Sequence, residues 1–233
     1  MKCEFSIEHY SECLQLAKEQ GYTIGRIRDW SKFNQDCEKY ILLRHDIDFS
    51  IDYALDIACT ELQNQVYSTY YILLQSEFYN PLSPHNVRLI RYLSDLGHEI
   101  GYHVNSNHMI EGEEKILEKI TGKPIFSYSH HFPRQTPKPK VDDLYLNARD
   151  PMINVKFISD SCRNWREGCM CEHIGKVDKL EILTHPVWYA HETSTRDDAI
   201  NKMHYDLRRE VDKSIESFKD QIPYYLEHVV KQK

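Results

Sequence analysis

No stretch of this 233-residue chain approaches the ~20 consecutive apolar residues needed to cross a bilayer. The opening residues Met1-Lys2-Cys3-Glu4-Phe5-Ser6 lack the apolar segment of a secretory signal peptide. Basic residues are neither abundant nor run together: 29 Lys and Arg stand against 36 Asp and Glu, a net charge of -7. There is thus no basic field to hold nucleic acid or an anionic membrane surface. Internal repeats and low-complexity segments are also missing. The seven cysteines are odd in number and include no Cys-x-x-Cys pair. Without a secretion signal they read as reduced thiols of a cytoplasmic protein. A structural zinc site built from Cys162, Cys169, Cys171 and His173 is a rival reading with irregular gaps.

What is present is a chain that is 41% hydrophobic, enough for a sizeable core, with 16 tyrosines. Tyrosine lines sugar and peptide grooves and also sits routinely at core edges. The length suits a single domain over residues 1–233. A helix is expected over 5–21, capped by Ser6 and stopped at Gly21. Apolar and β-branched runs predict strands near 39–46, 66–74, 98–103, 125–131, 155–159 and 180–184. Helical patterns fall between them: after Ser50 on Ile51, Leu55, Ala58 and Leu62, from Ser83-Pro84 to Gly97, and over 111–120. From Ser194 one long amphipathic helix follows, with Ile200, Met203, Leu207, Val211, Ile215, Phe218 and Ile222 in its stripe, Asp197 completing a capping box and Pro223 at its end. That stripe serves either the core or a homo-oligomer contact. Strands alternating with helices predict an α/β fold with a parallel sheet, open or closed into a barrel.

The polar residues fall at the strand ends. Ile41-Leu42-Leu43 runs directly into Arg44-His45-Asp46-Ile47-Asp48, and His103, His131, Asp160 and His185 each close a later strand. In a barrel those ends converge on one mouth. Strand alternation points Asp46 and Asp48 to the same side, about 6–7 Å apart. Two carboxylates that close need a cation or a proton between them. Oxygen and imidazole donors without cysteine suit zinc, or cobalt, nickel or manganese. A carboxylate beside such an ion can take a proton from water, and an imidazole opposite can protonate a leaving group.

Three segments also resemble the polysaccharide deacetylases, carbohydrate esterases that remove acyl groups from amino sugars. They are Leu43-Arg44-His45-Asp46-Ile47-Asp48, Leu96-Gly97-His98-Glu99-Ile100-Gly101-Tyr102-His103, and Leu183-Thr184-His185-Pro186. The Gly-His-Glu-Ile-Gly-x-His string is the most specific of them, and the resemblance covers about residues 39–189. It implies a distorted (β/α) barrel of about seven parallel strands, followed here by the long C-terminal helix. It implies that Asp46 is the catalytic base and His185 the catalytic acid, and that the metal is zinc held by Asp48, His103 and a further ligand. The chain departs from the family in three places. Ile47 separates the two aspartates, and Asn107 stands where the second histidine belongs, with His108 one residue on. The usual Arg-x-Pro-Tyr segment is replaced by His130-His131-Phe132-Pro133. His108 is the expected third ligand, with Asn107 and His131 as alternatives. Asp160 and Trp165 resemble positions that orient a catalytic group and wall the pocket, and Arg163 or Arg166 is a candidate partner for Asp160. His98 is expected to pack within its strand.

The resulting expectation is a metal-dependent hydrolase that removes an N-acyl group, such as acetyl, from an amino sugar or a sugar-linked precursor. Its partner is then a glycan substrate rather than nucleic acid or membrane. Two other readings keep the fold: a metal-independent hydrolase of another small amide or cyclic ureide, and a non-catalytic glycan-binding barrel.

Overall fold

The computed structural model describes residues 3–105, 112–131 and 145–228. Contacts divide the chain into two units, Met1–Glu192 and Thr193–Lys233. The first unit carries strands β1 (Thr23–Gly25), β2 (Tyr40–Ile47), β3 (Thr69–Leu73), β4 (Glu99–Asn105), β5 (Ser127–His131), β6 (Leu146–Asn147), β7 (Lys156–Ser159) and β8 (Lys179–Thr184). Its helices are α1 (Ile7–Glu19), α2 (Trp30–Asp36), α3 (Ala54–Gln63), α4 (Pro84–Asp95), α5 (Glu113–Thr121) and the short α6 (Met170–His173). The second unit holds α7 (Arg196–His228).

Seven strands lie in the order β6-β5-β4-β3-β2-β8-β7, and every pairing is parallel. They curl into part of a barrel, open among the described residues between β6 and β7. The short strands β1 and β6 escape the periodicity of the sequence, because two or three residues are too few to show an alternation. β1 pairs with Tyr40–Leu42 of β2, and β3 takes the same strand from Arg44 onward. One edge of β2 is therefore shared between two neighbours, while β8 runs along the other from Tyr40 to His45.

The alternation of β2 sorts its residues between two environments. Tyr40 and Leu42 point into the barrel, where they pack with Ile27, Tyr71, Ala148 and Ile153, flanked by Trp30 and Phe33. These side chains fill the amino-terminal end of the barrel. Above them Arg44 lies over the rings of Tyr71 and Phe157. Higher still are Asp46 and Asp48. Gly101 of β4 lets the Tyr71 ring cross this interior, since a Cβ there would overlap it. The Tyr71 hydroxyl then donates to Ser127 (2.7 Å), which donates to Glu99 (2.7 Å).

On the other face His45 reaches α3, where its Nε2 donates to Glu61 (2.8 Å) and its Nδ1 meets the Thr184 hydroxyl (2.6 Å). Glu61 is fully buried. It accepts from Tyr10 (2.6 Å), Ser68 (2.7 Å) and Tyr70 (2.7 Å) as well. Burial pushes its carboxyl up, but His45, with lesser help from His98 and Tyr10, outweighs that and brings it down to about 2. His98, buried beside it, accepts at Nδ1 from the Ser68 amide (3.2 Å), and burial lowers its pKa. It packs within the sheet as the sequence suggests.

Helix ends follow their local chemistry. Ser6 and Ser83 cap α1 and α4 through the amides of His9 and Asn86. Gly21 and Gly97 close the same helices with positive φ. Four expectations fail. Ser50 does not cap α3, which starts at Ala54, and Leu62 is exposed rather than part of its buried stripe. Ser194 and Asp197 form no capping box; Thr195 accepts from the Asp198 amide instead. Pro223 does not end α7 either. The helix continues to His228, with Val211, Ile215 and Phe218 exposed along it. No helix among the described residues is long and apolar enough to cross a membrane.

Two substitutions test this core. Gly101→Ala forces the Tyr71 ring aside and is expected to cost about 1–3 kcal/mol in urea unfolding. Glu61→Ala removes one partner of a buried charge network and is expected to cost about 3–5 kcal/mol near neutral pH. The Glu61 carboxyl titrates near 4.5 when unfolded and near 2 when folded. Its contribution is therefore complete above pH 4.5 and fades as pH falls toward 2. Stability curves of the native and Glu61→Ala chains should converge over that window. Parallel curves would show that Glu61 is not ionised in the fold.

Candidate active site

The carboxyl ends of β2, β4, β5, β7 and β8 meet at one mouth, and each delivers one or two side chains. Asp48, immediately after β2, places Oδ1 3.3 Å from His103 Nε2 and 3.4 Å from His131 Nδ1. The two imidazole nitrogens are 3.2 Å apart. All three donor atoms lie within 4.8 Å of one another. His103 is buried in β4, while Asp48 and His131 face the opening at 14% and 18% side-chain exposure. Burial works against both charges in the Asp48–His103 contact. Even so, the imidazoles of His103, His131 and His185 hold Asp48 well below the usual carboxylate range, and Asp46 with Asp48 raises His103.

The orientation of His103 is fixed from behind. Its Nδ1 donates to the Ser129 hydroxyl (2.7 Å), with the Ser129 carbonyl at 3.2 Å. Ser129 in turn donates to Asp46 (3.3 Å). With the proton on Nδ1, the His103 Nε2 lone pair faces Asp48 and His131. Asp48 Oδ1 is buried and makes no hydrogen bond of good geometry despite its two close nitrogens. An oxygen and two imidazole nitrogens converging on one point, one of them orphaned, fit a divalent cation of the zinc class.

Asp46 stands on the inner side of this group, with Oδ2 3.8 Å from His103 Nε2. Arg44, two residues earlier on the same face, donates to it at 2.9 Å. The guanidinium also donates to Glu181 of β8 (2.9 Å), which takes a second bond from Arg149 (3.1 Å). Burial lowers and the carboxylates raise the Arg44 pKa, and the net is upward, so this charge is permanent. On the opposite side His185 follows β8. Its backbone N–H donates to Asp160 Oδ2 (3.0 Å) and its Nδ1 to Oδ1 (2.6 Å). Asp160 is fully buried at the end of β7. Burial disfavours the His185 imidazolium, but Asp160 above all, then Asp48 and Asp46, raise it to about 9. Its Nε2 is left pointing into the mouth, 3.8 Å from Asp48 Oδ2.

Five of the residues singled out in the sequence therefore meet here: Asp46, Asp48, His103, His185 and the alternative ligand His131. The expected ligand His108 and its rival Asn107 lie outside the described residues. Both oxygens of Asp160 are taken up by His185 rather than by Arg163 or Arg166. Arg163 lies over the Phe5 ring (5.1 Å), and Phe5 stacks on Trp165 with centroids 6.4 Å apart. Among the described residues neither Cys162 nor His173 groups with Cys169 and Cys171, and His173 donates to the Glu167 carbonyl (2.7 Å). Sequence reasoning missed Ser129, Glu181 and Arg149. Ser129 could have been found from its place two residues before His131, on the same face of β5.

No protein-family model matches the chain, and no curated protein matches it. Solved structures do. One is a deacetylase from Streptococcus pyogenes, at 12% identity over 53% of this chain and 61% of that one, with a TM-score of 0.43. Another is a family 4 carbohydrate esterase pseudoenzyme from Bacillus anthracis, at 13% identity over 75% and 62%, with a TM-score of 0.44. A third is a peptidoglycan deacetylase from Bacillus subtilis, at 12% identity over 82% and 98%, with a TM-score of 0.45. The chain spans about three fifths of the length of the first two. What it is similar to, then, are deacetylases and a family 4 carbohydrate esterase pseudoenzyme.

Proposed function

We propose that the chain is a metal-dependent hydrolase that removes an N-acyl group, such as acetyl, from an amino sugar or a sugar-linked precursor. The observation that carries this reading is Asp48 Oδ1, buried and without a hydrogen bond between the nitrogens of His103 and His131. Asp48, His103 and His131 would hold the ion, and zinc is the proposed one. When bound, such an ion polarises an acyl carbonyl and acidifies water.

The chain's own residues supply the proton movements. Asp46, clamped by Arg44 and Ser129, accepts the proton of the attacking water at a carboxylate oxygen. His185, kept protonated by Asp160, donates from Nε2 to the departing amine nitrogen. An amine is a poor leaving group until it receives that proton, which is why an imidazolium with a raised pKa suits the position. Water is kept from below by the apolar end of the barrel. The mouth also offers a surface for a sugar ring. Phe49 follows Asp48 directly, and its ring lies 4.8 Å from Phe78 and 6.4 Å from Trp188. Phe78 is 43% exposed. Aromatic faces of this kind suit a ring with one apolar side. Residues 1–233 are proposed to act as one catalytic protein, with this site built within Met1–Glu192.

Metal content separates this reading from a metal-free amidase or a binding barrel. Asp48→Ala and His131→Ala are expected to lose the ion that the native chain binds at this site, with circular dichroism unchanged. If both variants kept it, the ligand set would be wrong. The proton-transfer roles predict that Asp46→Asn and His185→Ala keep the ion and lose about 10²–10⁴-fold in turnover. The assay is release of acetate from a panel of N-acetylated sugars. Near-native turnover by His185→Ala would move the proton donor elsewhere, and no turnover by the native chain on any acylated sugar would overturn the deacetylase reading.

A further inference from the structure

A second set of metal-ligating side chains lies away from the strand ends and has no part in the chemistry above. Cys3 precedes α1, His9 lies within it, and Cys169 and Cys171 flank the start of α6. These residues come from opposite ends of the first unit; Cys3 and Cys171 are 168 positions apart. Their sulfurs nevertheless stand 3.2 Å from each other. His9 Nε2 is 3.3 Å from Cys169 Sγ, and the four donor atoms all lie within 4.8 Å of one another. A tetrahedral zinc centre has Zn–S near 2.3 Å and Zn–N near 2.0 Å, which sets ligand–ligand edges of about 3.5–3.8 Å. The two shortest contacts, 3.2 and 3.3 Å, fall a few tenths of an ångström inside those edges, and all four atoms stay within 4.8 Å.

The donor set also has the right chemistry. Three thiols and one imidazole form a closed set of four protein ligands, which is the composition of structural rather than catalytic zinc sites. His9 is buried, and its Nδ1 lies 3.6 Å from the Glu12 carboxylate on the next turn. That nitrogen makes no hydrogen bond, and Nε2 is the one aimed at the Cys169 sulfur. A disulfide between Cys3 and Cys171 would account for two of the sulfurs but not for a buried imidazole aimed at the third. Cys13 Sγ also lies 3.6 Å from His9 Nε2.

We propose that Cys3, His9, Cys169 and Cys171 bind a structural zinc ion that fastens the segment before α1 to the loop between β7 and β8. That loop carries Trp165, which stacks on Phe5, and Phe5 packs against Tyr189 (5.7 Å) just after His185. The ion therefore holds the outer wall of the mouth without touching substrate.

Cobalt substitution of the full chain provides the test. Cobalt at this centre gives thiolate-to-metal charge-transfer absorption in the near ultraviolet, whereas cobalt on Asp48, His103 and His131 gives none. The band is expected in the native chain and in Asp48→Ala, and is expected to disappear in Cys169→Ser and Cys171→Ser. Zinc stoichiometry should be two per native chain and one in either Asp48→Ala or Cys171→Ser. Failure of the strand-end site alone would leave the band intact, so the two sites are judged separately. Absence of the band in the reduced native chain overturns the proposal without any variant. Recovery of a Cys3–Cys171 disulfide from protein that binds no thiolate-held metal overturns it as well.

Discussion

Three consecutive ionisable residues, Arg44, His45 and Asp46, are buried in β2, an interior strand of the sheet. A buried charge is tolerated only with a partner, and this requirement organises the barrel. Arg44 is answered by Asp46 and by Glu181 from the neighbouring strand. His45, turned to the opposite face, is answered by Glu61 from α3. Asp46 is held between Arg44 and Ser129. The pairings fix β2 against β8 on one side, α3 on the other and β5 across the interior. A one-residue slip of β2 would exchange the two faces and break every one of them. The register of the site is thus secured mainly by charges set behind it, those of Arg44, Glu181 and Glu61.

The interior is layered along the strand direction. Apolar side chains fill the amino-terminal end, a fixed guanidinium and its carboxylates form the middle, and the imidazoles and Asp48 form the rim. This ordering lets opposite electrostatic needs coexist within a few residues. Asp46 is clamped beside a permanent positive charge, while His185 stays protonated beside a buried Asp160. In water His185 would lose most of its charge near neutral pH. The two groups proposed to handle protons face the mouth from opposite sides, with the proposed ligands between them.

Much of this was legible in the sequence, for reasons that are physical. The strands ending at Asp46, His103, His131, Asp160 and His185 are short β-rich runs with sharp polar ends, and parallel pairing then brings those ends together. What the sequence could not show is which partner each group finds across the barrel. Asp160 has two nearby arginines in the chain, but its position at the end of β7 puts it against His185 from β8. Cys162 and His173 are near Cys169 in sequence, yet the chain brings in Cys3 and His9 from the other end of the unit. Pro223 reads as a helix stop because it lacks an amide proton. A helix of 33 residues loses only one backbone bond there and continues.

The Ser129 hydroxyl serves two masters with one proton. It accepts from His103 Nδ1 and spends its own hydrogen on Asp46, so the chain of donors runs in one direction only. Were His103 to switch tautomer, the hydroxyl would have to donate to the bare Nδ1 and desert Asp46. The hydroxyl thereby ties the carboxylate proposed as base to the tautomer in which the proposed ligand His103 offers its Nε2 lone pair.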